Sequence, residues 1–478
     1  MKLIFDVSDK PKAGQLVVFA LQQMLAILAA TIAVPLIIGN GLTPAAAMFG
    51  AGVGTIVYIL FTKRKSPVFL GSSFAFLGSM AAAFAGGVSM QLGMLGLIIG
   101  ALLAGLVYVV IAIVVKFVGV GWLNKLMPAV VIGPTVAIIG LSLAGNAIGD
   151  LLKGDVTKQV TEYVVSTDSG TPEIIETVSN VPVGSSYVAL VCGLITLAVV
   201  MLCSAYGKKT LRLIPFIIGI LAGYAAAAIF TVIGNICDID ALKIVDLSVF
   251  SSYMLTDGSI SLKTFVSLPD FSFVSGLKGL KEFDFSYFAT IFVAYVPVAL
   301  VVFAEHVADH KNLSSIIDHD LLEEPGLTRT LLGDGVGSIA GALFGGCPNT
   351  TYGESVACVA ITGNASVITI FAAAIGCMLF SFITPLVAFV DSIPACVMGG
   401  VCIALYGFIA VSGLKMIQDV NLDDNRNLFV VSVILIAGIG GLTLTFGDIT
   451  LTEVAAALIL GILTNVMLSK KKGNVDKK

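Results

Sequence analysis

Charge is scarce in this sequence. Of its 478 residues only 12% are Asp, Glu, Lys or Arg, against roughly 25% in a soluble globular domain. With 57% hydrophobic residues and a mean hydropathy of +1.03, the deficit excludes an ordinary water-soluble fold. The formal net charge is −4, with nothing to suggest a nucleic-acid partner. The 8 cysteines are scattered, with no CxxC pair and no Cys/His cluster. They read as small buried hydrophobes, so neither a disulfide framework, a metal site nor a cofactor is expected. No nucleophile–base pair is legible, so the sequence does not read as an enzyme. The first apolar run is too long for a signal-peptide core.

What remains is a series of long apolar runs. Between Lys12 and Lys63 there are 50 uncharged residues, and another 50 between Lys65 and Lys116. About 20 helical residues cross a ~30 Å hydrocarbon core, so each run holds two crossings. Apolar windows place fourteen segments: 16–38, 43–62, 67–86, 92–116, 127–148, 186–205 and 211–235, then 285–310, 330–346, 350–362, 365–390, 393–412, 427–445 and 450–468. The basic residues Lys63, Arg64, Lys65, Lys125, Lys208, Lys209, Arg212, Lys311, Arg329, Lys415, Arg426 and the tail KKKGNVDKK fall on one side. This positive-inside pattern predicts a multi-pass protein of the cell membrane with both termini cytoplasmic.

Two longer loops then lie outside. Residues 150–185 hold two β-prone runs around STDSGTP, an exposed hairpin signal, and 236–284 form a polar connector. The connector separates seven segments (1–235) from seven (285–478), so any repeat must be inverted in topology. Segments 3 and 10 open alike, SPVFLGSSF at 66–74 and CPNTTYGES at 347–355. Both are interrupted by Pro, Gly and hydroxylated residues. Paired broken segments in two halves point to a transporter's binding site.

Glu354 lies in one of them, with 19 uncharged residues before it and 36 after. Intramembrane acids usually mark a substrate or ion path. Around it Asn349, Thr350, Thr351, Tyr352 and Ser355 offer hydrogen bonds, and Gly353 lets a ligand approach the main chain. In VVFAEHVADH (301–310), Glu305 and Asp309 share a helix face. Hydropathy alone leaves them either inside the membrane or where the helix leaves it. His306 and His310 read equally as a solvated helix end. In GSSFAF (71–76), Phe74 could stack on a flat ring and Ser72 and Ser73 could hydrogen-bond to it. Gln22 and Gln23 are expected to bond between helices.

With PNTTYGE, GSSF and AEH in order, and QQMLAILAATIAVP at 22–35, the chain resembles the nucleobase/ascorbate transporters of the nucleobase–cation symporter-2 family. Within it the bacterial uracil permeases are most similar. The resemblance implies an all-α polytopic fold of about fourteen segments in two inverted seven-segment repeats, with short antiparallel strands in segments 3 and 10. A core domain (segments 1–4 and 8–11) would move against a gate domain (5–7 and 12–14), often as a homodimer. It implies uracil as substrate, bound by Glu305 and Glu354, with main-chain amides at Phe74 and Gly353 meeting the carbonyls and Tyr352 lining the site. Ser73, His306, Asp309 and Ser355 fall in supporting or coupling positions.

The chain departs from those permeases in three places. Asp309 replaces a second His, Ser355 replaces an Asn, and Gln22-Gln23 replaces Gln-His. Asp309 and Ser355 could still hydrogen-bond across segments 8 and 10. Two acids on one face could share a proton or hold Na⁺, so H⁺ and Na⁺ both stay open as the coupling ion, and a xanthine or other purine carrier stays open as the alternative substrate class.

Overall fold

The computed structural model describes residues 3–119, 121–166, 173–208, 211–212, 214–252, 260–446 and 449–469. Residues 167–172 of the STDSGTP stretch, Lys209 and residues 470–478 lie outside them. Among the described residues eight helices are long and apolar enough to span a membrane: Ala13–Ile38, Pro44–Phe61, Met90–Val118, Ala129–Leu151, Ser186–Tyr206, Pro215–Cys237, Phe285–Ile317 and Ala395–Met416. Shorter apolar helices follow at Phe74–Gly87, Gly353–Thr362, Val367–Phe380, Asn425–Ile439 and Glu453–Leu468. Leu327–Gly345 fills the ninth window. Mean hydropathy located these elements because an apolar helix satisfies its own backbone in lipid.

Three windows need correction. Segment 8 does not end near residue 310; its helix continues to Ile317, and His306 and His310 are fully buried rather than solvated. Segment 11 breaks after Phe380 and resumes as Thr384–Asp391. Segments 13 and 14 are trimmed by a two-stranded antiparallel sheet, Leu444–Phe446 on Ile449–Leu451. The β-branched run LTLTF…ITLT suits a pleated ribbon better than a helix.

By packing, the chain forms two compact units. The smaller comprises Ala144–Thr264 and Ala388–Ala404. In it, strands Thr157–Ser166 and Glu173–Pro182 pair antiparallel, with Thr157 opposite Pro182. Helices Ser186–Tyr206 and Pro215–Cys237 pack closely; a Cβ on Gly223 would lie 1.8 Å from Thr196 Oγ1. The Ala395 amide donates to Asp155 Oδ1 at 3.0 Å. Burial pushes this carboxyl up to about 6, against the lowering effect of that amide.

The larger unit, Met1–Leu143, Phe265–Val387 and Leu405–Lys478, holds the broken segments. One close crossing in it is between segments 2 and 9. A Cβ on Gly50 would lie 2.4 Å from the Gly341 carbonyl oxygen, and one on Gly54 would lie 2.7 Å from that of Gly337. These small residues at four-residue spacing let two backbones touch, the usual route to helix association in lipid. Asn349 Nδ2 donates to the Gly50 carbonyl at 3.2 Å, fastening the start of segment 10 onto the same crossing.

Candidate functional site

Segments 3 and 10 both begin as strands. Leu70–Ser72 pairs antiparallel with Asn349–Thr351, in the register Leu70 opposite Thr351 and Ser72 opposite Asn349. Each chain then turns helical: Phe74–Phe76 forms a 3₁₀ turn leading into Leu77–Ala83, and Gly353–Thr362 is α-helical. Because the strands are antiparallel, the two helices leave the sheet in opposite directions with their N-terminal amides near its ends. Neither N-cap, Ser73 or Tyr352, uses its side chain to cap the helix. No N-cap side chain therefore occupies the first-turn amides, and the dipole there favours negative or electron-rich groups.

Tyr352 braces this arrangement. Its hydroxyl donates to the Ser72 carbonyl at 2.8 Å, and its ring lies where a side chain on Gly71 would be; a Cβ there would meet it at 2.4 Å. Phe74 packs its ring edge-on to Tyr406 at 5.8 Å. Phe76 stacks on Tyr295 at 5.4 Å, and Ser79 donates to the Ala294 carbonyl at 2.7 Å. Segment 3 is thereby anchored to segment 8.

Segment 8 presents Glu305 and Asp309 toward segment 10. Asp309 Oδ2 accepts from Thr351 Oγ1 at 2.7 Å. A Cβ on Gly353 would have only Asp309 Oδ1 nearby, at 3.9 Å, so the main chain there is bare and faces this acid. Glu305, Asp309 and Glu354 lie close enough for their charges to interact. All three are partly exposed, and Gly353 is exposed. Neither Glu305 nor Glu354 receives a hydrogen bond from another described residue.

Two of the supporting residues turn elsewhere. His306, one position after Glu305, is rotated by about 100° around the helix and meets Asp334 at 2.7 Å and Thr330 at 3.0 Å. Ser355 does not bond Asp309. Its hydroxyl accepts from Gln23 Nε2 and, at 3.2 Å, from the Phe69 amide, so it joins segments 1, 3 and 10. This is the interhelical bond expected of Gln23. Ser73 has its hydroxyl buried without a partner among the described residues, while its amide donates to the Pro348 carbonyl at 2.9 Å. Sequence reasoning passed over Asp334, Tyr58 and Ser66. Tyr58 bonds His310 at 2.6 Å and Ser66 at 2.7 Å. The one-dimensional signal for Asp334 was its place within the ninth apolar window.

Comparison with known proteins settles the family. A family model described as the Permease family (Xan_ur_permease) matches residues 14–178 and 171–446. The chain belongs to this nucleobase:cation symporter-2 family. It is thus a multi-pass membrane permease. Among curated relatives, a uracil permease of Bacillus caldolyticus is 36% identical over 98% of this chain and 95% of its own length. That of Bacillus subtilis is 34% identical over 98% and 96%. That of Escherichia coli (strain K12) is 33% identical over 95% and 92%. Among solved structures, the transmembrane domain of the cyanobacterial bicarbonate transporter BicA matches with a TM-score of 0.56 at 13% identity, over 97% of this permease and 99% of that chain. Murine Slc26a9, an anion transporter, matches with a TM-score of 0.59 at 12% identity, over 97% and 69%. At such identities the likeness concerns the fold alone: the two-repeat architecture of helical membrane transporters.

Proposed function

We propose that this permease imports uracil in symport with protons. The observation that carries the reading is a pair of carboxylates, Glu305 and Glu354, that receive no hydrogen bond from another described residue and flank the bare helix start at Gly353. Uracil presents two N–H donors and two carbonyl acceptors around a flat ring. Ionised carboxylates only accept, so the two glutamates suit the N–H groups. Amides at Gly353 and Phe74 suit the carbonyls, and Tyr352 and Phe74 supply flat walls. The similarity to uracil permeases at 33–36% identity supports the same substrate.

In this reading segments 1–4 and 8–11 carry the ligand and move against segments 5–7 and 12–14, opening the site to each side in turn. Asp309, beside the glutamates, is where the coupling proton would enter the same charge cluster. The permease works in the cell membrane as a homodimer, with both termini in the cytoplasm.

The test is uptake of radiolabelled uracil into proteoliposomes, with pH and Na⁺ gradients imposed separately. Uptake should follow an inward proton gradient and be indifferent to Na⁺. Uptake driven by Na⁺ alone would overturn the proton assignment. Displacement of uracil by xanthine at equal concentration would overturn the substrate assignment in favour of a purine carrier.

A further inference from the structure

A second polar cluster lies on the other face of segment 8, and substrate recognition does not use it. His306 and Asp334 are both fully buried. His306 Nδ1 lies 2.7 Å from Asp334 Oδ2, and Nε2 lies 3.0 Å from Thr330 Oγ1. Thr330 Oγ1 in turn donates to the Leu327 carbonyl at 3.1 Å. Asp334 Oδ1 is buried and has no hydrogen-bond partner among the described residues.

The titratable groups around the pair are Tyr58 of segment 2, Tyr108 of segment 4, and Glu305, Asp309 and His310 of segment 8. His310 stacks on His306, with ring centroids 4.0 Å apart. Its Nδ1 lies 2.7 Å from the His306 carbonyl, which can only accept, so Nδ1 carries the hydrogen. Nε2 then accepts from the Tyr58 hydroxyl at 2.6 Å. Among the described residues the one ion-pair partner of Asp334 is His306.

Three proton arrangements fit these contacts, and burial separates them. Ionised Asp334 beside neutral His306 leaves a net charge in a dry interior, with one carboxylate oxygen bare. An imidazolium–carboxylate pair places two ions there with the same bare oxygen, and desolvation opposes both. In the third arrangement Asp334 is a carboxylic acid donating from Oδ2 to Nδ1. Nε2–H then donates to Thr330, whose hydroxyl donates to Leu327. Every hydrogen finds an acceptor, no charge is buried, and only a carbonyl oxygen is left bare.

We propose that Asp334 is held as the carboxylic acid, so that a resident proton joins segment 9 to segment 8, back to back with the Glu305–Asp309 face. Asp334 acts as a positioning residue. It holds the His306 side of the helix without adding another negative charge to Glu305 and Asp309, both of which lie within its electrostatic reach.

The experiment uses the full chain in lipid nanodiscs with isotope-labelled histidine. The chain has only 3 histidines, so each ring is separately readable by nitrogen NMR. At neutral pH His306 should show a protonated Nε2 and a bare Nδ1. Infrared difference spectra of wild type against Asp334→Asn should show loss of one protonated-carboxyl band. A His306 ring protonated on both nitrogens, with no such band lost, would replace the acid by an ion pair and overturn the proposal. A bare Nε2 with protonated Nδ1 would overturn it in favour of an ionised Asp334. If Asp334→Asn fails to fold, the wild-type nitrogen spectrum alone decides. Neither readout depends on which substrate the permease carries.

Discussion

Replacing Glu354 in steps tests its role against the free energy assigned to it. A hydrogen bond to a charged group is worth about 1.5–3 kcal/mol, and a neutral one about 0.5–1.5 kcal/mol. Glu354→Gln keeps an oxygen that can face the uracil N–H but loses the charge, a loss of about 1–2 kcal/mol by that difference. At 1.4 kcal/mol per tenfold, Kd should rise roughly 5- to 30-fold. Glu354→Ala removes the acceptor and should raise Kd roughly 10- to 150-fold. Stability should hardly move. The wild-type carboxylate receives no hydrogen bond from another described residue, so unfolding should stay within about 0.5 kcal/mol of wild type. Equilibrium binding of radiolabelled uracil to detergent-purified protein, beside thermal unfolding of the same samples, gives both numbers. An unchanged Kd in folded Glu354→Ala would refute the reasoning. So would a loss of binding that simply tracks a loss of fold, because the residue would then be structural.

Other expectations follow from single contacts. Gly71→Ala places a methyl 2.4 Å from the Tyr352 ring and should cost about 1–3 kcal/mol by overpacking, seen as a lower Tm together with weakened uracil binding. Tyr352→Phe removes the 2.8 Å bond to the Ser72 carbonyl and should lower stability by about 1 kcal/mol, measurable by thermal unfolding in detergent. Asp155 gives a pH test. Burial raises its folded-state value to about 6, whereas an unfolded aspartate titrates near 3.9. The folded state therefore binds more protons between those values, and stability falls as pH rises from about 4 to about 6. Asp155→Asn keeps an acceptor for the Ala395 amide and should flatten that slope, gaining on the order of 3 kcal/mol at neutral pH. Unfolding midpoints measured across this range would show it, and a slope that persists in the variant would exclude Asp155 as its source.

The sequence carried much of this architecture because lipid imposes simple rules. Uncharged runs located the helices, and Pro, Gly and hydroxyl residues in segments 3 and 10 marked where helices fail. The candidate site left a mark of the same kind: an acid far from any charged neighbour, as Glu354 is, stands out in one dimension. Depth was not legible in segment 8, because a hydropathy window stops at its first charges. Glu305, His306, Asp309 and His310 stay inside because partners from segments 2, 9 and 10 receive three of them. Those partners are set by packing. Asp334 escaped notice because it follows Arg329 closely and resembles a helix entering from water. Ser355 was matched to Asp309 through the resemblance, yet one residue of helical rotation past Glu354 turns it against Gln23.

The strand pair at the heart of the site also constrains how the protein is made. Tyr352 bonds a carbonyl 280 positions earlier in the chain, and although Thr55 holds Leu70 from within the first repeat, the strand Leu70–Ser72 finds its pairing strand only in the second. At a synthesis rate of about 5–20 residues per second, the first repeat waits roughly 15–60 seconds for that strand to be translated. Through this interval it carries extended backbone that hydrocarbon cannot satisfy. The nascent chain must shelter those groups, in water at the insertion machinery or in a provisional helix, until residue 351 has left the ribosome.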